Sequence, residues 1–531
     1  MRVAIFIGIL LAGSTAFAQA PAEESCRSLI RRNYTALPDA PTALKAAGLV
    51  AAGSGQLNDL PAYCRIEGVI APRVTFELRL PTENWNGKFL MQGCGGMCGI
   101  LNMEAAEDSL IKGYAVVNTD MGHSGTGGIA IYAYNDRQSE IDFGYRATHV
   151  VAAASKVIVS DFYGKAPLKS YFNGCSTGGR QAMVEAQRFP HNFDGIIAGA
   201  PVLNEIGDGT LHLLWSARAN LGVDGRPILS SKKLPMIRKS VLAACDKIDG
   251  VEDDILQDPR RCTWKPSNIQ CRGDGADDCL TAAEVAVVER VYSGAHDSQG
   301  RRLFPGGMSL GSEYEWSPAF IGVDGPGGAR NAGLILSPGS MIYQFLQYLT
   351  FFEDPGPAYD PMAFNFDRDP LRLMLTETLY NAQNPDLRAF KAAGGKAIMY
   401  HGWDDMEIPP GLSVDYYETV TRTLGGERAT RDFFRLFMIP GMAHCRRGPG
   451  ADGFDPVEAL ERWVERAEAP EFLLTHKMVK DQPYAGLPRL RFPLKQEDFT
   501  WTRPAFAYPD VAVHTGRGDW RDPKTWRARR P

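Results

Sequence analysis

Tyr171-Phe172-Asn173-Gly174-Cys175-Ser176-Thr177-Gly178-Gly179-Arg180 is the stretch whose reading decides the fold. Its centre, Gly174-Cys175-Ser176-Thr177-Gly178, fits G-x-S-x-G, the sharp strand-to-helix turn that lifts a serine to the top of an α/β sheet. Glycines two residues either side of Ser176 suit so tight a turn, because a side chain there would clash. The flanks agree. Tyr171-Phe172 ends an apolar run of strand character, and residues 180–189 read as a helix closed by Pro190. Since G-x-S-x-G alone is a common pattern, the weight falls on its surroundings, and first on Cys175, set against the candidate nucleophile.

Upstream, Lys88-Phe89-Leu90-Met91-Gln92 predicts a buried strand running into Gly93-Cys94-Gly95-Gly96-Met97-Cys98-Gly99. A Gly-rich loop after an early strand is where α/β-hydrolases place half of an oxyanion hole; a plain tight turn is the competing reading. Residues 73–80 alternate as an antiparallel edge strand does, and residues 114–118 predict a further strand. Val150, Val151, Ala154, Val157 and Ile158 recur at helical spacing, so residues 145–162 should pack as a helix on the sheet. Residues 193–201 read as the next strand, and this rhythm indicates a parallel sheet.

From 202 to 384 the rhythm is lost. Helical patches at 232–244, 281–292 and 341–352 sit among Gly/Pro-rich connectors, predicting an insertion that covers the C-terminal edge of the sheet. Strands resume at 396–400 and 433–439, followed by a helix at 456–467 and a strand at 472–476. The Pro-, Arg- and Trp-rich tail after Thr500 is expected to wrap the surface. The predicted fold is α/β, an α/β-hydrolase with a large inserted lid domain. Residues 1–18 are a signal peptide, 19–204 the first part of the hydrolase domain, 205–384 the lid and 385–531 the second part.

A length of 531 residues leaves room for about three domains of ordinary size. The formal charge of −5, with no Lys/Arg block, argues against a nucleic-acid partner. Arg2, an apolar run over 3–12 and Ala16-Phe17-Ala18 form an export signal with cleavage after Ala18. That run is well short of the ~20 residues needed to span a bilayer, so no membrane anchor is expected and the protein should be periplasmic or extracellular. In an oxidising compartment ten cysteines favour disulfides. Cys245 with Cys262 and Cys271 with Cys279 would close short loops, Cys26 with Cys64 would pin the N-terminal segment, and Cys94 with Cys98 would make a tight loop. Cys175 and Cys445 remain.

A serine nucleophile needs a base, and the base an orienting acid. Asp405 follows the 396–400 strand and His444 the 433–439 strand, where an α/β-hydrolase carries acid and histidine. Asp404 and Glu407 are rival acids and His401 a rival base, whereas His123 reads as a hydrogen-bonded loop residue. Cys175 and Cys445 each adjoin a proposed triad member, so a disulfide between them would tether nucleophile to base. Residues 245–255, Cys245-Asp246-Lys247-Ile248-Asp249-Gly250-Val251-Glu252-Asp253-Asp254-Ile255, concentrate carboxylates around a glycine turn. Oxygen donors at that density suit Ca²⁺, the competing reading being a solvated acidic loop.

With these pieces assembled, the chain resembles the tannase and feruloyl esterase family, which includes mono(2-hydroxyethyl) terephthalate hydrolase-like enzymes. The likeness runs over about 84–526 and is carried by Gly174-Cys175-Ser176-Thr177-Gly178-Gly179-Arg180, His401-Gly402-Trp403-Asp404-Asp405 and Pro440-Gly441-Met442-Ala443-His444-Cys445. The resemblance implies a catalytic triad of Ser176, Asp405 and His444, with Cys175 bridged to Cys445. It also implies the pairs Cys26–Cys64, Cys245–Cys262 and Cys271–Cys279. A structural calcium in the lid would be held by Asp246, Asp249 and Asp253 and by the main-chain carbonyls of Val251 and Ile255. Two departures stand out: a C-terminal disulfide of many members, whose first cysteine would fall near Phe506, is missing, and Cys94 and Cys98 are not a general family feature. Gly95 and Thr177 are taken as the oxyanion donors. The implied substrate is a small aromatic ester of feruloyl, galloyl or terephthalate-monoester type, with Trp316, Phe320, Tyr343, Phe345 and Phe351 as candidate stacking residues and Arg330 as a candidate anion contact. A serine amidase or peptidase, or a non-catalytic binding protein on the same scaffold, are the alternatives.

Overall fold

The computed structural model describes residues 22–55, 57–273, 277–324, 330–479 and 490–531. In chain order its strands begin with β1 (Thr42–Val50), β2 (Tyr63–Ile70), β3 (Val74–Pro81), β4 (Lys88–Gln92), β5 (Ala115–Thr119), β6 (Lys169–Cys175) and β7 (Gly195–Gly199). A long excursion holds the short hairpin β8 (Ile321–Asp324) and β9 (Arg330–Ala332). Then follow β10 (Lys396–Gly402), β11 (Phe434–Ile439), β12 (Phe472–Met478), β13 (Phe499–Phe506), β14 (Val511–His514) and β15 (Trp526–Arg529).

Nine of these strands form one sheet in the order β1-β2-β3-β5-β4-β6-β7-β10-β11. Pairing is antiparallel from β1 to β5 and parallel from β5 to β11. Strands β5, β7 and β11 are buried along their whole length, as strands covered on both faces must be. Helix Ala147–Tyr163 carries the chain from β5 back over β4 to β6, and Thr177–Arg188 carries it onward to β7. The chain therefore leaves β4 in one direction and β6 in the other. The crevice at the C-terminal ends of these two neighbours is the switch point at which open α/β sheets bind ligands.

Three expectations change in detail. Residues 73–80 are not an edge strand: β3 lies between β2 and β5. Its polar alternation has another cause, since Glu77 is buried and accepts from Arg65 (2.7 Å) and Arg79 (2.6 Å), so the polar face is neutralised within the sheet. The helix read at 341–352 is Met341–Tyr348, while the other two are Leu234–Cys245 and Ala282–Ser293. The tail does more than wrap the surface. β12 pairs with β13 and β14 with β15, Ala507 bridges to Phe437 of β11, and Arg503 is buried.

Five disulfides form, Cys26–Cys64, Cys94–Cys98, Cys175–Cys445, Cys245–Cys262 and Cys271–Cys279. No helix among the described residues is long and apolar enough to cross a membrane. The signal peptide read at 1–18 lies outside the described residues.

Candidate active site

Ser176 sits between the end of β6 and helix Thr177–Arg188, with φ 62° and ψ −126°. A non-glycine residue held at positive φ is strained, and its neighbours over-determine it. Ser176 N–H donates to Gly199 O of β7 (2.9 Å). A Cβ at Gly174 would lie 2.6 Å from the Gly178 backbone, and one at Gly178 2.9 Å from Cys94 O. The two glycines of the motif therefore let strand, helix and Gly-rich loop close on one another around the serine.

The expected acid and base meet. His444 Nδ1 lies 2.7 Å from Asp405 Oδ2, and Asp405 is fully buried. The other oxygen, Oδ1, accepts the main-chain N–H groups of Glu407 and Ile408 (2.9 Å each). His401, the rival base, stands behind the acid instead. Its Nε2 lies 3.0 Å from both Asp405 Oδ2 and Ile408 O, two acceptors, so it carries the proton, and Ser413 Oγ donates to its Nδ1 (2.8 Å). Burial would raise the Asp405 carboxyl, but His444 and the bonds from both histidines hold it well below the usual carboxylate range. Burial would likewise lower His444; Asp405 and then Glu407 overcome this and push it up to about 9.

Cys175–Cys445 joins the residues beside Ser176 and His444, with Cα atoms 6.1 Å apart. Cys445 also has a positive φ, 63°. Ser176 and His444 line one cavity of about 900 Å³, together with Gly95 and Thr177. In the loop after β4, Gly93 N–H is spent on Asn173 O (2.8 Å) and Cys94 N–H on Gln181 Oε1 (3.1 Å). Gly95 is different: a Cβ there would meet nothing within 4 Å, so the cavity opens onto it. Thr177 begins its helix, where main-chain donors have no intrahelical acceptor. Thr177 Oγ1 donates to Gly96 O (2.7 Å) and Cys98 N–H to Gly95 O (3.0 Å), fixing the loop against the elbow.

Other candidates separate. Asp404 is buried beside Glu313 and Tyr314, with its carboxyl pushed up to about 7 chiefly by burial, away from His444. His123 stacks on Tyr132 at 3.4 Å and bonds Met97 O (2.7 Å), a structural role. Phe320 and Phe345 line the cavity, whereas Trp316 is fully buried and bonds Ser312, and Phe351 packs on Tyr359. Tyr343 is not on the cavity wall, and the side chain of Arg330 lies outside the described residues. Glu407, read as a rival acid, instead places Oε2 3.6 Å from His444 Nε2. Glu205, Asp208, Arg446 and Arg447 on the same wall had no local signal in the sequence.

In the acidic loop Asp246 accepts the N–H groups of Asp253 (3.3 Å) and Asp254 (3.0 Å), and Asp249 that of Val251 (3.0 Å). Arg503, in β13, pairs with Asp253 and lies 3.7 Å from Asp249. Asp249 Oδ2 and Asp253 Oδ1 remain buried without a hydrogen-bond partner, and burial pushes Asp249 up to about 7. Among the described residues no three His, Cys, Asp or Glu side chains stand close enough to form a ready-made metal cluster. Even so, the donor chemistry fits a hard cation. Three carboxylates share the loop, two of them beside one guanidinium, and two orphaned oxygens are left in a buried site.

A strained serine on the β4/β6 switch point, on one cavity with the histidine of a histidine–carboxylate pair, defines the class: a hydrolase of the α/β-hydrolase fold. A family model for tannase and feruloyl esterase matches residues 60–527, so the chain belongs to the tannase and feruloyl esterase family, whose members are carboxylic ester hydrolases. An uncharacterized esterase of Xanthomonas campestris pv. campestris is 33% identical over 98% of this chain and 93% of its own length. The mono(2-hydroxyethyl) terephthalate hydrolase of Piscinibacter sakaiensis is 33% identical over 87% of this chain and 83% of its own. Feruloyl esterase B from Aspergillus oryzae matches in structure with a TM-score of 0.79 and 26% identity, covering 96% of this chain and all of that one.

Proposed function

We propose that the protein is an exported serine carboxylesterase that hydrolyses esters of aromatic acids through an acyl-enzyme. The observation carrying this reading is the tethered pair: Ser176 and His444 on one cavity, their neighbours Cys175 and Cys445 joined, and His444 backed by Asp405. With Nδ1–H directed to Asp405, His444 keeps a lone pair on Nε2 to take the Ser176 proton as Oγ attacks the ester carbonyl. The main-chain N–H groups of Gly95 and Thr177 receive the oxyanion, each such donor contributing about 3–4 kcal/mol in acyl-transfer enzymes. His444 then protonates the departing alcohol, and water, deprotonated by the same nitrogen, releases the acid. Ser176 Oγ forms no hydrogen bond among the described residues; such bonds tighten on substrate binding.

The aromatic acyl group follows from the relatives, which include a feruloyl esterase and a terephthalate monoester hydrolase, and from Phe320 and Phe345 on the wall. Residues 205–384 act as the lid. Asp246, Asp249 and Asp253, with the carbonyls of Val251 and Ile255, would hold a Ca²⁺ that neutralises the acidic loop and stiffens the lid. Export is supported by five disulfides and by the 1–18 signal, and N-terminal sequencing should begin at Gln19.

The test is stoichiometric labelling by a fluorophosphonate, mapped by peptide mass to Ser176, with a burst of alcohol release from an activated aromatic ester. Labelling elsewhere, or faster cleavage of a matched amide, would overturn the reading.

A further inference from the structure

Asp208 opens the π-type turn Asp208–Leu213 in the helical stretch after β7, and such turns often mark functional positions. The residue is only 4% exposed and its Oδ1 is buried with no hydrogen-bond partner, yet it lines the same cavity as Ser176. Leaving a buried carboxyl oxygen unpaired costs free energy. A ligand that pairs it removes that cost.

The surroundings say what kind. Next along the chain, a Cβ at Gly209 would come within 2.4 Å of the Phe345 ring. The missing side chain thus lets the ring lie against the turn that bears Asp208. Phe320, Leu213 and Ile342 supply further apolar wall. Apolar wall around a buried carboxyl suits a flat ring whose substituent is oriented by a hydrogen bond.

Charge narrows the substituent. Burial, and then the carboxylates of Glu205, Asp405 and Glu407, push the Asp208 carboxyl well above its ordinary value, in the direction that favours its neutral form. A neutral carboxyl donates and accepts one hydrogen bond each, as a phenol does. Glu205 is already engaged by Arg180 (3.1 Å), and on the His444 side Arg447 lies 3.9 Å from Glu315. A negatively charged ring substituent at Asp208 would face these carboxylates; Arg446, whose Nε and Nη1 have no hydrogen-bond partner, also lines the cavity, but it acts on His444, and no cation is among the charges acting on Asp208.

We propose that Asp208 is a specificity residue that hydrogen-bonds a phenolic hydroxyl on the aromatic acyl ring, so that hydroxylated aromatic esters are preferred over unsubstituted and carboxylate-bearing ones. This rests on the aromatic-esterase reading above. The experiment compares kcat/KM for methyl gallate, methyl 4-hydroxybenzoate, methyl benzoate and monomethyl terephthalate on the wild-type protein and on Asp208→Leu and Asp208→Asn. Wild type should favour the better hydroxylated ester over methyl benzoate by at least about tenfold, the worth of one good hydrogen bond. Asp208→Leu should erase that ratio, which is independent of the fraction of folded enzyme. Asp208→Asn, which keeps a donor and an acceptor, should retain it to within about threefold. A wild-type ratio near one, a ratio unchanged in Asp208→Leu, an Asn variant as impaired as Leu, or monomethyl terephthalate as the best substrate each overturns the proposal while leaving an aromatic esterase standing. Failure of the wild type to cleave any of the four overturns both.

Discussion

Glu407 Oε2 lies 3.6 Å from His444 Nε2, the nitrogen on the far side of the ring from Asp405. The base is thus flanked by carboxylates on both nitrogens, and its affinity for a proton rises to about 9. With His444 as the proposed base, only its neutral form could accept the Ser176 proton, so kcat/KM should climb with pH through this value rather than near 6.5. Removing the outer carboxylate in Glu407→Gln withdraws part of the attraction for the imidazolium. The acid limb of the pH profile should then move to lower pH, by about one unit for a charge at this range. A profile that stays in place, measured with one ester under steady state, would exclude Glu407 from control of the base.

His401 acts through Asp405. Its Nε2–H reaches Asp405 Oδ2, the oxygen that also holds His444, while Ser413 and Ile408 fix its own ring. A hydrogen bond to a charged group contributes about 1.5–3 kcal/mol, so His401→Ala should lower kcat by about 10- to 100-fold. KM should change little, since His401 is fully buried and does not line the cavity. Equal losses in binding and turnover would instead indicate collapse of the 402–408 loop.

The reach of the sequence follows from this geometry. Ser176, Asp405 and His444 are each announced locally, by a glycine-framed turn or by a strand end, and the structure brings Asp405 and His444 into contact and sets Ser176 on their cavity. The same holds for Cys175 and Cys445, whose positions beside the triad suggested their bond. Asp208 carries no such mark: it matters through a missing hydrogen-bond partner, which exists only once helix, hairpin and sheet have packed. Arg503 was hidden likewise, because its partner Asp253 lies 250 residues away. The alternation of β3 misled because its Glu77 meets Arg65 of β2 as well as Arg79 of its own strand, and the cross-strand partner is not visible in a single strand.

Cys175–Cys445 spans 270 residues, for which the chain-entropy estimate of stabilisation is about 5 kcal/mol. The double variant Cys175→Ala/Cys445→Ala, which leaves no free thiol, should melt at lower temperature. β6, β7, β10 and β11 still hold the two loops in neighbouring positions, so Ser176 and His444 should drift by a fraction of an ångström or more rather than separate. Misplacement of about 1 Å costs up to about 100-fold in rate. The expected result is therefore a fall in kcat with KM nearly constant, measured well below the new melting temperature. If turnover is untouched while stability drops, the bridge is a staple for the fold and not a tether for the chemistry.

Arg503 and a bound cation should share the task of neutralising the acidic loop. With all three ionised, as a bound cation would require, Asp246, Asp249 and Asp253 would set three negative charges against one guanidinium, which leaves the two that a single Ca²⁺ would cancel. Protein purified without added calcium should contain about one ion per chain, and a chelator should lower its melting temperature. In Arg503→Leu the carboxylates lose their buried partner, a change that costs about 3–5 kcal/mol in comparable pairs. That variant should be more sensitive to chelator than the wild type, because the ion then becomes the loop's sole counter-charge. Trp526, over which the Arg503 guanidinium lies at 3.9 Å, should report the same event as a change in fluorescence. A metal-free protein whose melting ignores both chelator and added Ca²⁺ would leave Arg503 alone as the device that closes the loop, and the Arg503→Leu variant would then be destabilised equally with and without calcium.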